Sequence, residues 1–172
     1  MRIMPNKKTA AEKAGEEVKR FIEDFYAVSD DASRDGEWVA CFAEDATLWM
    51  CAKGAKGLDE IRELRKGMWE TVKRRKHKVD KIFFPAAFSR PANNARDDMT
   101  SGCEEEEDEE EERVEYMLNG SVDLEMGESE GGGGGGKRTV RWAARAVVRF
   151  ITDAGDSAGA GTWKYEFYQV WL

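Results

Sequence analysis

Long apolar runs are missing from this chain. No stretch of its 172 residues reaches the roughly 18 needed to span a membrane, and the N-terminal segment MRIMPNKKTAAEKAGEEVKR lacks the apolar centre of a secretory signal. Both absences predict a soluble, cytoplasmic protein with no membrane partner. Cysteine is scarce: Cys41, Cys51 and Cys103 form no CxxC pair and are an odd number, so free thiols are expected rather than a disulfide framework or a zinc cluster. Cys41 and Cys51, in apolar surroundings, read as core. His77 is the one histidine, so any imidazole chemistry has to use it. A nucleophile elbow and clustered metal ligands are lacking too, and GGGGGG lacks the placement of lysine and then serine or threonine that a phosphate loop needs, Arg138 following Lys137. No cofactor and no metal are expected.

What is abundant is concentrated in two places. Nine of the 35 acidic residues fall in 104–112, and six of the 17 glycines in 131–136. Removing the nine acids takes the formal charge from -8 to +1, so the acidity belongs to one connection rather than to the folded surface. Residues 86–112 and 127–137 are too polar or too glycine-rich for packed connectors and are expected to be disordered insertions in a single domain spanning 1–172. The acidic run then accounts for the net charge and little else.

Outside these insertions the pattern is regular. Val18, Phe21, Ile22, Phe25 and Val28 recur at three and four, which predicts an amphipathic helix from Thr9 to about Asp30. A short second helix carries Trp38, Val39 and Phe42. A strand follows from Ala46 to Cys51, and Leu58, Ile61, Leu64, Met68 and Val72 return to helical spacing. The second half alternates instead. HKVDKIFF is loosely strand-like, VEYMLNGSVDLEM and RTVRWAARAVVRF alternate cleanly, and TWKYEFYQVWL sets Trp163, Tyr165, Phe167 and Trp171 against Lys164, Glu166 and Tyr168. Such strands predict a meander of long antiparallel hairpins.

In this order of elements, Trp38, Phe42, Asp45, Ala46, Gly57 and Ile61 match the skeleton "W...F..DA..", then "G...I", of SnoaL-like proteins. With FIEDFYAVSDD before them and YEFYQVWL at the end, the chain resembles the nuclear transport factor 2-like superfamily. The resemblance implies an α+β fold: a cone-shaped barrel of curved antiparallel sheet with three helices packed on its concave face. The same fold hosts isomerases, dehydratases, cyclases and binding modules, so it does not choose among them.

The resemblance also implies a hollow between sheet and helices, where a few polar groups meet an apolar ligand. In scytalone dehydratases, relatives by fold, an aspartate near the end of the first helix and a histidine at the start of a later strand belong to the site. Asp30 or Asp31 and His77 fall at comparable places and are the catalytic candidates, for proton transfer next to a carbonyl. Ser29 and Trp49 stand where those enzymes have tyrosines, and their second histidine has no counterpart. Tyr26, Trp49, Trp142, Tyr165 and Phe167 are the candidate ligand-binding residues, though aromatic stripes on strands also make plain core.

Two readings follow: a pocket for a small hydrophobic ligand, or a cofactor-independent isomerase, cyclase or dehydratase acting on a polyketide-like or terpenoid carbonyl compound. The basic run Lys73, Arg74, Arg75, Lys76 and Lys78 reads as a solvated helix end suited to the helix dipole, so no nucleic-acid partner is expected. Arg141, Arg145 and Arg149 share the outer sheet face with Glu115, Asp123, Glu125 and Glu166, which fits a homodimer paired through that face.

Overall fold

The computed structural model describes residues 10–85, 112–127, 136–152 and 161–172. Helix α1 (Ala10–Ser29) buries Val18, Ile22, Phe25 and Val28, the stripe its spacing predicts. A 3-10 turn (Ala32–Arg34) and α2 (Asp35–Ala40) follow, and then β1 (Phe42–Met50), β2 (Lys53–Lys56) and α3 (Gly57–Gly67). The rest is strand: β3 (Val72–Phe83), β4 (Arg113–Met126), β5 (Lys137–Thr152) and β6 (Gly161–Trp171). No helix among the described residues is long and apolar enough to cross a membrane.

The six strands form one sheet in the order β2-β1-β6-β5-β4-β3. Three helices over this curved sheet make the expected α+β cone, but an open one, with β2 and β3 as edges. The sheet is also mixed rather than antiparallel. β1 runs parallel to β6, pairing Thr47 with Phe167 and Met50 with Val170, because the helical crossover through α3 leaves the last strand beside the first. Two local expectations change. β2 is an extra short strand that folds back on β1 across Cys51 and Ala52, and α3 stops at Gly67, so Val72 opens a strand instead of closing a helix. Gly67 is a poor helix residue at the point where the chain must turn.

Alternation holds along β4 and β5. Val114, Tyr116, Leu118 and Val122 face the core from one, and Trp142, Ala144, Ala146 and Val148 from the other. Gly120 lies opposite Trp142, and a methyl group there would sit 2.0 Å from the Lys78 carbonyl oxygen and 2.8 Å from the indole. Only glycine lets the strands and the ring come that close. On β6 the alternation breaks. Val147 pairs with Phe167 but Val148 with Tyr165, so the strand bulges at Glu166. Before the bulge Trp163 and Tyr165 point inward, and after it Tyr168 and Val170 do.

The expected insertions lie largely outside the described residues. Of their ends, Glu112 accepts a hydrogen bond from the Phe150 backbone N–H at 2.9 Å, and Lys137 is already the first residue of β5. On the outer face, Arg141 pairs with Asp80, Arg145 with Glu115 and Arg149 with Asp45, all within the chain.

Candidate functional site

The C-terminal end of α1 is held from below by Arg65 of α3, whose side chain is wholly buried. Its Nη1 donates to the Ser29 carbonyl oxygen at 3.1 Å, its Nη2 to that of Asp31 at 3.0 Å, and its Nε to Asp35 Oδ1 at 2.6 Å. A cation is favourable where a helix leaves its last carbonyls unpaired. Burial pulls the Arg65 guanidinium below its usual range while Asp35 pulls it back, and it stays cationic. Arg75 of β3 adds a second donor, Nε to the Ser29 carbonyl oxygen at 2.7 Å.

So anchored, Asp30 reaches the free edge of β3. Its carboxylate accepts the His77 backbone N–H at 3.0 and 3.1 Å and meets the His77 ring at Nδ1 at 2.5 Å. Lys76 Nζ stands 3.5 Å from the other carboxylate oxygen. Both partners are largely enclosed, Asp30 at 10% and His77 at 17% side-chain exposure. An imidazole whose Nδ1–H points at a carboxylate carries its lone pair on Nε2, which is the arrangement of a general base.

His77 forms part of the wall of a cavity of about 200 Å³ between α1 and the sheet. Most of the wall is apolar: Met50 and Val170, Met68 and Val72, Val122 and Leu124, and Val140. The polar groups are few. Tyr26 and Tyr168 share a 2.7 Å hydrogen bond between their hydroxyls, and burial pushes both phenols well above their usual range. Ser29 Oγ accepts the Trp38 indole N–H at 2.9 Å. The Tyr26 ring lies 5.1 Å from His77 and 5.2 Å from Trp142. Trp142 Nε1 is buried with no partner among the described residues, and a buried donor without an acceptor is costly.

The structure therefore brings together Asp30, His77, Tyr26 and Trp142 and sets the other candidates apart. Asp31 is exposed and caps the 3-10 turn, accepting from the Ser33 N–H and hydroxyl at 2.8 and 2.7 Å; these bonds hold its carboxyl below the usual range. Trp49 points outward, 41% exposed, with its indole over Gly54, because on β1 the inward positions are Ala46 and Leu48. Tyr165 is fully buried away from the cavity, its hydroxyl 2.9 Å from Tyr116 and its ring against Phe21, Phe25 and Phe42. Phe167 is turned outward by the bulge at Glu166 and lies under Arg145. The same bulge delivers Tyr168 to the cavity. Arg75 is hidden in a basic run, yet it faces inward on β3 two residues before His77, a period-two spacing that marks it in the sequence. Burial pushes the Cys41 thiol up to about 11, away from the thiolate form, whereas Cys51, expected in the core, is exposed in the turn between β1 and β2.

No family model matches the chain, and neither does any curated protein. Solved structures do share its fold. A candidate scytalone dehydratase from Novosphingobium aromaticivorans superposes with a TM-score of 0.64 at 14% identity, over 95% of this chain and 87% of that one. ActVI-ORFA from Streptomyces coelicolor gives 0.56 at 11% identity, over 92% and 96%. A type 2 hexachlorocyclohexane dehydrochlorinase, LinA, gives 0.56 at 12%, over 94% and 86%. At these identities the likeness is one of fold: the chain has the nuclear transport factor 2-like fold.

Proposed function

We propose that the cavity binds a small apolar carbonyl compound and that His77, oriented by Asp30, moves a proton on it without a cofactor. The carrying observation is the aspartate-held imidazole in the wall of a mostly apolar hollow. The His77 Nε2 lone pair takes a proton from the carbon next to the carbonyl. The C–H electron pair becomes the enolate double bond, and the charge moves to oxygen. That oxygen needs a donor, and Trp142 Nε1–H has no other partner among the described residues. The imidazolium, paired with Asp30, then returns its proton to another carbon or to a leaving hydroxyl, which gives an isomerase or a dehydratase respectively. The fold neighbours bearing dehydratase and dehydrochlorinase names fit this class of chemistry.

Exchange of the α-protons of 2-tetralone in D2O, followed by proton NMR, tests the reading. The wild-type chain should accelerate exchange, and His77→Gln should lose on the order of a hundredfold or more of it, the lower end of general-base catalysis. Tetralone that binds but exchanges at the buffer rate in both proteins would leave only the binding function. Tetralone that does not bind would remove both.

A further inference from the structure

Arg75 is the one permanent cation in the cavity wall. It is half-buried, and no carboxylate within the described residues pairs with it, whereas the other half-buried or buried arginines among them, Arg34, Arg65, Arg145 and Arg149, each face a carboxylate. Its orientation is set from two sides. Nε donates to the Ser29 carbonyl oxygen at 2.7 Å, and the guanidinium carbon lies 4.1 Å from the centre of the Trp69 ring. The opposite edge is uncommitted: Nη1 meets only the Met68 sulfur, at 3.7 Å, and Nη2 has no partner among the described residues. A planar fork fixed in this way matches the two oxygens of a carboxylate.

Arg75 also belongs to two hollows. Together with Leu124 it lines a second hollow, a groove of about 540 Å³ running over the ends of β3, β4 and β5. That groove carries Arg74, Arg75, Lys76, Lys137 and Arg138 against Asp123 and Glu125. Asp123 is already engaged by the Thr139 hydroxyl. The surplus is positive, in a groove that shares Arg75 and Leu124 with the apolar cavity. Such a gradient of polarity suits a molecule with a charged end and an apolar body.

We propose that the ligand of this pocket is an amphipathic carboxylate, its apolar body in the cavity beside His77 and Trp142 and its carboxylate on the Nη edge of Arg75. The proposal rests on the reading that the cavity binds a small apolar compound, and it narrows that class to acids. Arg75 is then a specificity residue, and the neighbouring cations raise the local concentration of the anion in a salt-dependent way.

The test compares 2-naphthoate with its neutral isostere 2-naphthamide by titration calorimetry on the full chain. Wild type should bind the naphthoate about tenfold or more tightly than the amide, the size of a charge-assisted pair over a neutral one, and added salt should erode that preference. Arg75→Gln keeps a donor for the Ser29 carbonyl but removes the charge. It should bring the two affinities together by weakening the naphthoate far more than the amide, with the thermal midpoint reporting on the fold. Arg75→Lys, which keeps the charge and loses the fork, should hold part of the preference. Equal binding of acid and amide by wild type, or a naphthoate preference that survives Arg75→Gln, overturns the carboxylate assignment and leaves the apolar pocket standing. If neither probe binds, the pocket reading falls with it.

Discussion

The two ends of the cone share helix α1 and the same strands, yet one is packed with rings and the other is hollow. At the packed end Tyr165 lies 5.0 Å from Phe21, 4.7 Å from Phe25 and 5.3 Å from Phe42, with its hydroxyl satisfied by Tyr116. At the hollow end the facing positions hold methionine, valine and leucine, shapes that do not fill the space between Tyr26 and the sheet. A close-packed interior and a binding cavity are thus built from one alternation pattern, and residue volume decides which one results. Polarity follows volume. The packed end pairs the Tyr165 and Tyr116 hydroxyls with each other, while at the hollow end the buried Trp142 indole N–H has no partner among the described residues.

The largest expected difference lies in truncation. Tyr165→Ala should cost about 3–5 kcal/mol in urea unfolding, since it empties a site enclosed by rings and strands the Tyr116 hydroxyl. Leu124→Ala, in a wall that already faces empty space, should cost about 1 kcal/mol; a cost equal to that at Tyr165 would mean the hollow end is as tightly packed as the other. Between these falls Gly120→Ala, expected to cost about 1–3 kcal/mol because the new methyl group meets the Lys78 carbonyl and forces Trp142 aside. It should also weaken 2-tetralone binding, which no packed-end substitution of similar cost should do. Added volume divides the two ends in the same way. Val140→Phe at the hollow end should change the thermal midpoint little and abolish binding, whereas Ala144→Phe, in the packed wall, should destabilise by about 1–3 kcal/mol.

The smallest effect is with pH. All four tyrosines of the chain, Tyr26, Tyr116, Tyr165 and Tyr168, have phenols pushed up by burial. A raised phenol keeps its proton in the fold while the unfolded chain gives it up near pH ~10. Stability from these groups is therefore complete below that point and is lost as pH rises through the folded values. Phenolate absorbance should appear only together with the loss of circular dichroism. If half of it came earlier, the Tyr26–Tyr168 pair at the hollow end would be open to hydroxide in the folded protein.

Much of this contrast was legible in the residues. Spacing placed the α1 stripe, alternation placed Trp142 inward, and the resemblance offered Asp30 or Asp31 as the partner of His77. Other parts depend on single backbone irregularities that periodicity does not carry. One extra residue at Glu166 reverses the facing of everything after it, exchanging Phe167 for Tyr168. The parallel β1–β6 pairing depends on which strand fills the place beside β1, a matter of global topology. Asp30 and Asp31 were equivalent as letters; what separates them is that Arg65 and Arg75 fix the end of α1 so that Asp30 meets the sheet and Asp31 meets solvent. Arg75 itself was hidden by its neighbours, since a run of five cations reads as one solvated patch until the strand shows which of them turns inward.

The bond from the His77 amide to Asp30 has a use beyond chemistry. β3 is an edge strand, and its outward amides have no neighbouring strand to shield them from solvent exchange. The His77 amide is covered instead by the same carboxylate that orients the imidazole. Its deuterium uptake therefore reports, from within the backbone and without any substrate, what fraction of the time the aspartate is seated, so that single proton can act as the protein's own gauge of whether its site is assembled.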